Sequence, residues 1–531
     1  MPASSKNTKL LKWITVVIFV ACLVAGVALR CQSLQDPVWV DELHTAWTVS
    51  GQFHEVAQRA ALGNQSPVYF WLVHPVHQLC GQNEFSLRLV SLTCSLLLLL
   101  SIPWVVYRLT GSLLSGCLSV ALAAFDDQFL FYAVEARPYA SVQLIAVWQF
   151  FFFLSGFFGP FQRDSADTSA RHAVVWWCFL SVVMFYLHFT TCLLLIVQIG
   201  LLAVAYFVPD VGAKFFATLF DQTSSIRPRM VVGALTIVGV ACLPGLWQLV
   251  AEIGPKRNDW AVMANVQRFA LLSIAEFIVY GLIVLLIGRI NPQKNSALRR
   301  CLVIMLALVA LPKLAVIAGV VVQQAPLAHY RFVIGSSTIL IALVSVALAE
   351  IQARRLRWTA FVATLLFALV TNPLLPDTLL RRQLMPQRVE YWKQTLSHLN
   401  DDQQPLVLCS NLVETPRLVQ LQNDGPLAGQ NALAQYALFP ILGLHYVSLN
   451  QRDVLLGDHG QAGLGLTVRD VQRLAECDAV WLVIRAFPKE AQAAADNLAN
   501  SMNQMQTKRK FMSRRIEDGP VNLFQVTSQS E

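Results

Sequence analysis

Long uncharged intervals, spaced almost evenly, dominate the first two thirds of this chain. No Asp, Glu, Lys or Arg stands between Lys12 and Arg30, between Arg88 and Arg108, or between Arg108 and Asp126. The same holds from Arg137 to Arg163, Arg229 to Glu252, Arg331 to Glu350 and Arg357 to Asp377. A charge at mid-bilayer costs roughly 2.5–3.5 kcal/mol. Each interval therefore predicts one membrane-spanning helix of about 20 residues. The interval from Arg171 to Asp210 is too long for one helix, and Tyr186-Leu187-His188 predicts a tight turn between two short ones. Two more spans carry one charge each, Glu276 between Arg268 and Arg289 and Lys313 between Arg300 and Arg331. The total is about eleven spans.

Beyond about residue 375 the pattern shortens. Pro405–Cys409, Leu444–Leu449 and Asp478–Ile484 are apolar runs of strand length. Helical patterns lie around Val389–Leu399, Val468–Ala475 and Lys489–Met502. Such alternation predicts a small α/β domain with a partly parallel sheet. The expected division is a transmembrane domain over 1–375, including an outer loop at 31–85, and an α/β domain over 376–531.

Composition narrows the picture. The chain is 55% hydrophobic and 14% charged, with a mean hydropathy of +0.52. A soluble globular protein carries about 25% charged residues. Disorder, a coiled coil and a secreted disulfide scaffold are excluded, and a polytopic α-helical membrane protein with a C-terminal soluble α/β domain remains.

The balance of 40 basic and 32 acidic residues gives +8, which reflects Lys and Arg gathered in cytoplasmic loops rather than a nucleic-acid partner. An inside N-terminus gives the cytoplasmic loops most of the basic residues, among them Lys6, Lys9, Lys12, Arg108, Arg227, Arg289, Arg299 and Arg355. An odd number of spans then puts the α/β domain outside the cytoplasmic membrane. The first apolar segment lacks a small-residue cleavage pattern near Leu29-Arg30-Cys31, so it reads as an anchor. Most of the 11 cysteines sit inside apolar runs, where they pack as small hydrophobes. Cys31 and Cys80 flank the outer loop and could pair, which spacing alone does not establish. No CxxC, Cys/His cluster, GxGxxG or P-loop is present.

Candidate chemistry gathers on the outer side. Trp39-Val-Asp41-Glu42 places two carboxylates just after the first span, a pattern common at helix starts, where it complements the dipole. Gln65–His74 is amphipathic and too short for a span, and would lie along the interface with Tyr69 and Trp71 at headgroup depth. It continues to Glu84-Phe-Ser-Leu-Arg88, whose charges have helical i, i+4 spacing. Phe131–Ala140 opens the fourth helix, with Arg137 before Pro138. A cation there opposes the helix dipole. Either Glu135, Asp126 or Asp127 pairs with it, or an anion occupies the helix mouth.

As an ordered set, these stretches resemble the GT-C membrane glycosyltransferases, within them the protein O-mannosyltransferase and aminoarabinose transferase superfamily. The carrying residues are Trp39-Val-Asp41-Glu42, Ser66-Pro67-Val-Tyr69 with Glu84–Arg88, Tyr132-Ala-Val-Glu135-Ala-Arg137-Pro138-Tyr139, and Tyr330-Arg331. The resemblance covers about the first 350 residues and stops short of the C-terminal domain. One departure is Asp126-Asp127, where similar proteins often have Ser-Pro.

The resemblance implies a polyprenyl-phosphate-linked sugar donor, an acceptor hydroxyl on a protein, lipid or glycan, and inversion at the anomeric carbon. Asp41 is then the general base, while Arg137 and Arg331 hold the donor phosphate and Tyr330 adds a hydroxyl donor. Glu42, Glu135, Tyr69 and His74 are supporting or acceptor-binding candidates. Glu42 or Glu135 could also contact a divalent metal ion, which the resemblance leaves open. His188 could line the cavity, though such histidines are more often structural. Glu276 and Lys313 read first as a mutual pair locking two helices together. The rival from another class is a non-catalytic transporter or lipid-carrier flippase. Against it stand the absence of an internal repeat and the gathering of candidates at one outer surface.

Overall fold

The structure, a computed structural model, describes residues 5–158, 167–207, 228–253, 263–290, 296–321, 330–370, 390–399, 404–409 and 453–529, apart from isolated positions within them. It divides into two compact units. The first comprises Met1–Leu34, Asn64–Tyr69 and Arg88–Met385, and the second Gln35–Gly63, Phe70–Leu87 and Pro386–Glu531.

The first unit is a helical bundle, and a helix occupies each uncharged interval. In chain order these are α1 (Ser5–Gln32), α5 (Glu84–Thr110), α6 (Leu113–Phe125), α8 (Tyr139–Phe157), α9 (Asp167–Leu187), α10 (Cys192–Phe207), α11 (Pro228–Ile253), α12 (Met263–Ile290), α13 (Ser296–Val321), α14 (Ile334–Glu350) and α15 (Arg354–Val370). Among the described residues seven of these are long and apolar enough to cross a membrane, or eight if α6 and the short α7 (Asp127–Ala133), bent by 62°, count as one span. Even the count of eight falls below about eleven, because α10 and α15 hold only 16 and 17 residues and α12 counts only over its shorter apolar stretch Phe269–Leu282. Large apolar side chains point outward, including Trp13 at 69% and Trp247 at 80% exposure. A water-facing surface does not tolerate such a patch, whereas lipid favours it.

Inside the bundle, small residues let helices approach. A methyl group added at Gly26 of α1 would meet Ala124 Cβ of α6 at 2.8 Å, so only glycine permits this crossing. Buried polar groups bridge helices. Gln149 of α8 donates to Gln198 of α10 at 2.6 Å and to Ser181 of α9 at 2.9 Å. Lys313 of α13 donates to Glu276 of α12, the pairing expected of two lone charges in adjacent spans. The turn expected at Tyr186–His188 is present, with α9 ending at Leu187 and a 3-10 turn, Phe189–Thr191, leading into α10.

The second unit holds short helices and a sheet. Its helices are α2 (Val40–Ser50), α3 (Val56–Leu62), α16 (Trp392–Ser397), α17 (Val468–Ala475) and α18 (Pro488–Met505), with the body of α4 (Val68–Leu79). The strands β1 (Leu406–Cys409), β2 (Val454–Leu456), β3 (Ala479–Arg485), β4 (Lys510–Glu517) and β5 (Val521–Gln529) lie in the order β2-β1-β3-β5-β4. The β1–β2 and β1–β3 pairs are parallel; β3–β5 and β5–β4 are antiparallel. Ala491, Ala494, Ala495, Leu498 and Met502 of α18 recur at helical spacing and bury against Val480, Leu482 and Ile484 of β3. The strand expected at Leu444–Leu449 lies outside the described residues. β2, β4 and β5 were not legible, because charged and polar residues interrupt the last two.

Candidate functional site

In the bundle, the Arg137 segment is placed by two helix ends. Arg30 is wholly buried and donates to the carbonyls of Ala123 (2.8 Å), Ala124 (3.4 Å) and Gly26 (3.0 Å) and to Ser95 Oγ (2.8 Å). A guanidinium at the C-terminal carbonyls of α6 is electrostatically favourable. Asp126 then accepts from the Gln128 and Phe129 amides at 2.9 and 3.1 Å, capping α7. Capping accounts for Asp126 at the bend between α6 and α7.

The chain turns tightly after α7, with the Arg137 amide donating to the Glu135 carbonyl at 2.7 Å, and Pro138 occupies the N-cap position of α8 without a side-chain cap bond. Glu135 (1% exposed) and Arg137 (8%) are both buried here. Ser91 Oγ donates to the Arg137 carbonyl at 3.0 Å, so the Tyr69 hydroxyl, 2.8 Å from the same Oγ, donates to it. Tyr69 is therefore buried against the protein's own side chains. On α4, residues 69, 70, 73 and 77 form the buried stripe, while Trp71, Leu72 and Leu79 form the exposed one.

An aromatic row adjoins Arg137. Tyr132 packs on Tyr139 (centroids 4.7 Å apart), Tyr139 on His188 (5.4 Å) and His188 on Phe332 (6.1 Å). Arg331, in the 3-10 turn Tyr330–Val333 that leads into α14, places its guanidinium carbon 5.0 Å from the Phe332 ring centroid. The Tyr330 side chain lies outside the described residues. His188 Nδ1 is 2.6 Å from the Thr190 hydroxyl. Burial, followed by the positive charges of Arg331 and Arg137, pushes the His188 imidazole down to about 3. Two guanidiniums thus act electrostatically on one neutral histidine. The sequence singled out the two arginines; Tyr132 and Tyr139 were visible only as motif letters, and His188 as a turn residue that could line a cavity.

In the second unit, α2 carries the acidic pair. Trp39 accepts at its carbonyl from the Glu42 and Leu43 amides at 2.9 and 3.0 Å. Asp41 is half-buried and Glu42 wholly buried. The Val40 amide donates to Glu390 Oε2 at 2.8 Å. At the other end of α2, Arg59 donates to the Trp47 carbonyl at 2.9 Å and packs over its ring, with its guanidinium carbon 4.9 Å from the centroid.

His74 and Gln78 of α4 bond the Gly51 and Val49 carbonyls at 2.9 and 3.1 Å. His74 thereby lines an open cleft of about 650 Å³ with Ser50, Gln52, Phe53, Glu55 and Gln78. Phe53, 54% exposed, meets His74 edge-on at 5.5 Å. Glu84 pairs with Lys393 at 3.2 Å, and Arg88, in the bundle, donates to the Leu34 carbonyl at 3.1 Å. Both helix-start carboxylates of the sequence motif are thus on α2, and His74 is on a cleft rather than in a core. Among the described residues no group of three or more His, Cys, Asp or Glu side chains is arranged to hold a metal ion. Cys31 and Cys80 are both exposed free thiols.

No protein-family model matches the chain, and no curated protein matches it. Among solved structures it is similar to ArnT from Cupriavidus metallidurans bound to undecaprenyl phosphate, with 12% identity, a TM-score of 0.33, and coverage of 99% of this chain and 98% of that one. It is also similar to an oligosaccharyltransferase from Archaeoglobus fulgidus in complex with zinc and sulfate, with 12% identity, a TM-score of 0.42, and coverage of 97% and 73%. Likeness at that level assigns neither an activity nor a ligand to this chain.

Proposed function

We propose that this chain is a GT-C-type membrane glycosyltransferase, moving a sugar from a polyprenyl-phosphate donor to an acceptor hydroxyl at the outer face of the cytoplasmic membrane. The supporting observation is the pair of guanidiniums, Arg137 and Arg331, acting electrostatically on a neutral His188 beside the first turn of α8. Phosphate suits such a place: a helix N-terminus favours an anion, and guanidinium forks match phosphate oxygens.

In the reaction, the acceptor oxygen bonds to the anomeric carbon while the carbon–oxygen bond to phosphate breaks, inverting configuration. The acceptor proton passes to Asp41, and the electron pair leaves on the lipid phosphate. That phosphate gains negative charge in the transition state, so fixed cations stabilise it more than the ground state. Tyr330 adds a hydroxyl donor to the phosphate. Glu42 and Glu135 hold acceptor hydroxyls. The cleft beside His74 suits a hydroxyl-rich acceptor, since an exposed aromatic edge covers C–H faces while Glu55 and Gln78 bond hydroxyls. The N-terminus is cytoplasmic and the α/β domain extracytoplasmic.

The test is turnover of a panel of defined polyprenyl-phosphate sugars by purified protein, beside Asp41→Asn. Loss of a general base is expected to cost about 10²- to 10⁴-fold in kcat. Equal rates for wild type and Asp41→Asn would remove the base assignment. Tight binding of polyprenyl phosphate without turnover of any donor would favour a lipid carrier instead.

A further inference from the structure

Helix α2 has no cap of its own. Trp39 occupies the N-cap position, and no side-chain cap bond is made there. An α-helix leaves its first amides without intrahelical partners, and the Val40 amide is the first of these. It is satisfied by a residue 350 positions later: Glu390 Oε2 accepts from it at 2.8 Å. The same oxygen accepts from Trp392 Nε1 at 2.7 Å, and Glu390 Oε1 accepts from Arg485 Nε at 2.8 Å. Glu390 is only 6% exposed, Trp392 is fully buried, and Arg485 is the last residue of β3, the central strand. Asn522 of β5 donates to the Ile484 and Ala486 carbonyls at 3.3 and 2.8 Å, fixing the backbone on either side of Arg485.

We propose that Glu390 is a positioning residue: it caps α2 from the C-terminal α/β domain and thereby fixes the first turn, which carries Asp41. The charge suits the place, since a carboxylate at a helix N-terminus complements the dipole. Its geometry is over-determined, because three donors from three separate chain segments hold one buried carboxylate. The domain that carries no catalytic spacing of its own acquires a role, that of bracing the helix of the general base. This rests on the reading of Asp41 given above.

The experiment measures two things on the full-length protein in detergent: hydrogen exchange of the peptide spanning residues 39–43, and kcat on the donor found by the panel. For Glu390→Ala the expected results are at least tenfold faster exchange in that peptide, with β3 and β5 unchanged, and a fall in kcat of about 10- to 100-fold at near-constant donor KM. Glu390→Gln, which keeps one carbonyl acceptor, should recover part of both. Unchanged exchange at 39–43 would overturn the proposal. So would faster exchange with unaltered kcat, or exchange rising equally through the strands, which would make Glu390 a folding residue. If Asp41→Asn is silent, or no donor turns over, the base assignment fails separately, while the exchange data still decide whether Glu390 holds the helix.

Discussion

Two buried arginines of the bundle lie at opposite kinds of helix end. Arg30 sits at the C-terminal carbonyls of α6, and Arg137 just ahead of the N-terminus of α8. The helix dipole favours the first cation and opposes the second. Arg30 is met by three carbonyls and a serine, all neutral acceptors supplied by the fold. Arg137, together with Arg331, acts electrostatically on one buried imidazole, that of His188. Burial alone therefore does not distinguish the two arginines, whereas the sign of the helix end does.

The contrast predicts opposite phenotypes. Arg137→Ala should lower kcat by about 10²- to 10³-fold, a far larger effect than its effect on the thermal midpoint. Arg30→Met should do the reverse, losing about 2–3 kcal/mol of stability as charged hydrogen bonds disappear, with kcat per folded molecule retained. Unfolding curves in detergent beside turnover decide it. An Arg30 variant that is stable but inactive would break the distinction.

Next in size is the pH response of His188. Its folded value of about 3 lies below the usual 6.5 of a free histidine, so between those values the unfolded chain binds the proton more readily. Its contribution to stability is complete above pH 6.5 and declines as acid is added towards pH 3. His188→Gln should flatten that part of the profile relative to wild type. Inorganic phosphate bound at the two arginines should raise the histidine value, since an anion offsets both cations. Histidine NMR shifts with and without phosphate read this directly, and no movement would argue that phosphate binds elsewhere.

The bundle was legible because a bilayer imposes one rule on every span: charge is excluded, so its positions mark the ends. Glu276 and Lys313 broke the rule once each and found one another. Arg30 was read only as a span boundary, since nothing in a linear pattern shows that α6 ends beside it. The same limit hid Glu390, an isolated acid in an unremarkable stretch whose partners are Val40, Trp392 and Arg485. The burial of Tyr69 was hidden for a related reason. An aromatic in an amphipathic segment fits the interface equally well, and only its hydroxyl bond to Ser91 turns it inward.

That bond gives the smallest expected effect and the sharpest use of the contrast. Tyr69→Phe removes the donor to Ser91 Oγ but leaves Ser91 able to donate to the Arg137 carbonyl. One neutral hydrogen bond is worth about 0.5–1.5 kcal/mol net, so stability should fall by no more than that. Loosening of the Arg137 segment should lower kcat about three- to tenfold, well short of removing the guanidinium. Because the tyrosine acts through Arg137, Tyr69→Phe placed on Arg137→Ala should cost nothing further in kcat. Independent sites would instead multiply their losses. A full additional three- to tenfold loss in the double variant would mean that Tyr69 touches the substrate itself, and the Arg30-to-Arg137 contrast would then lose its supporting residue on the functional side.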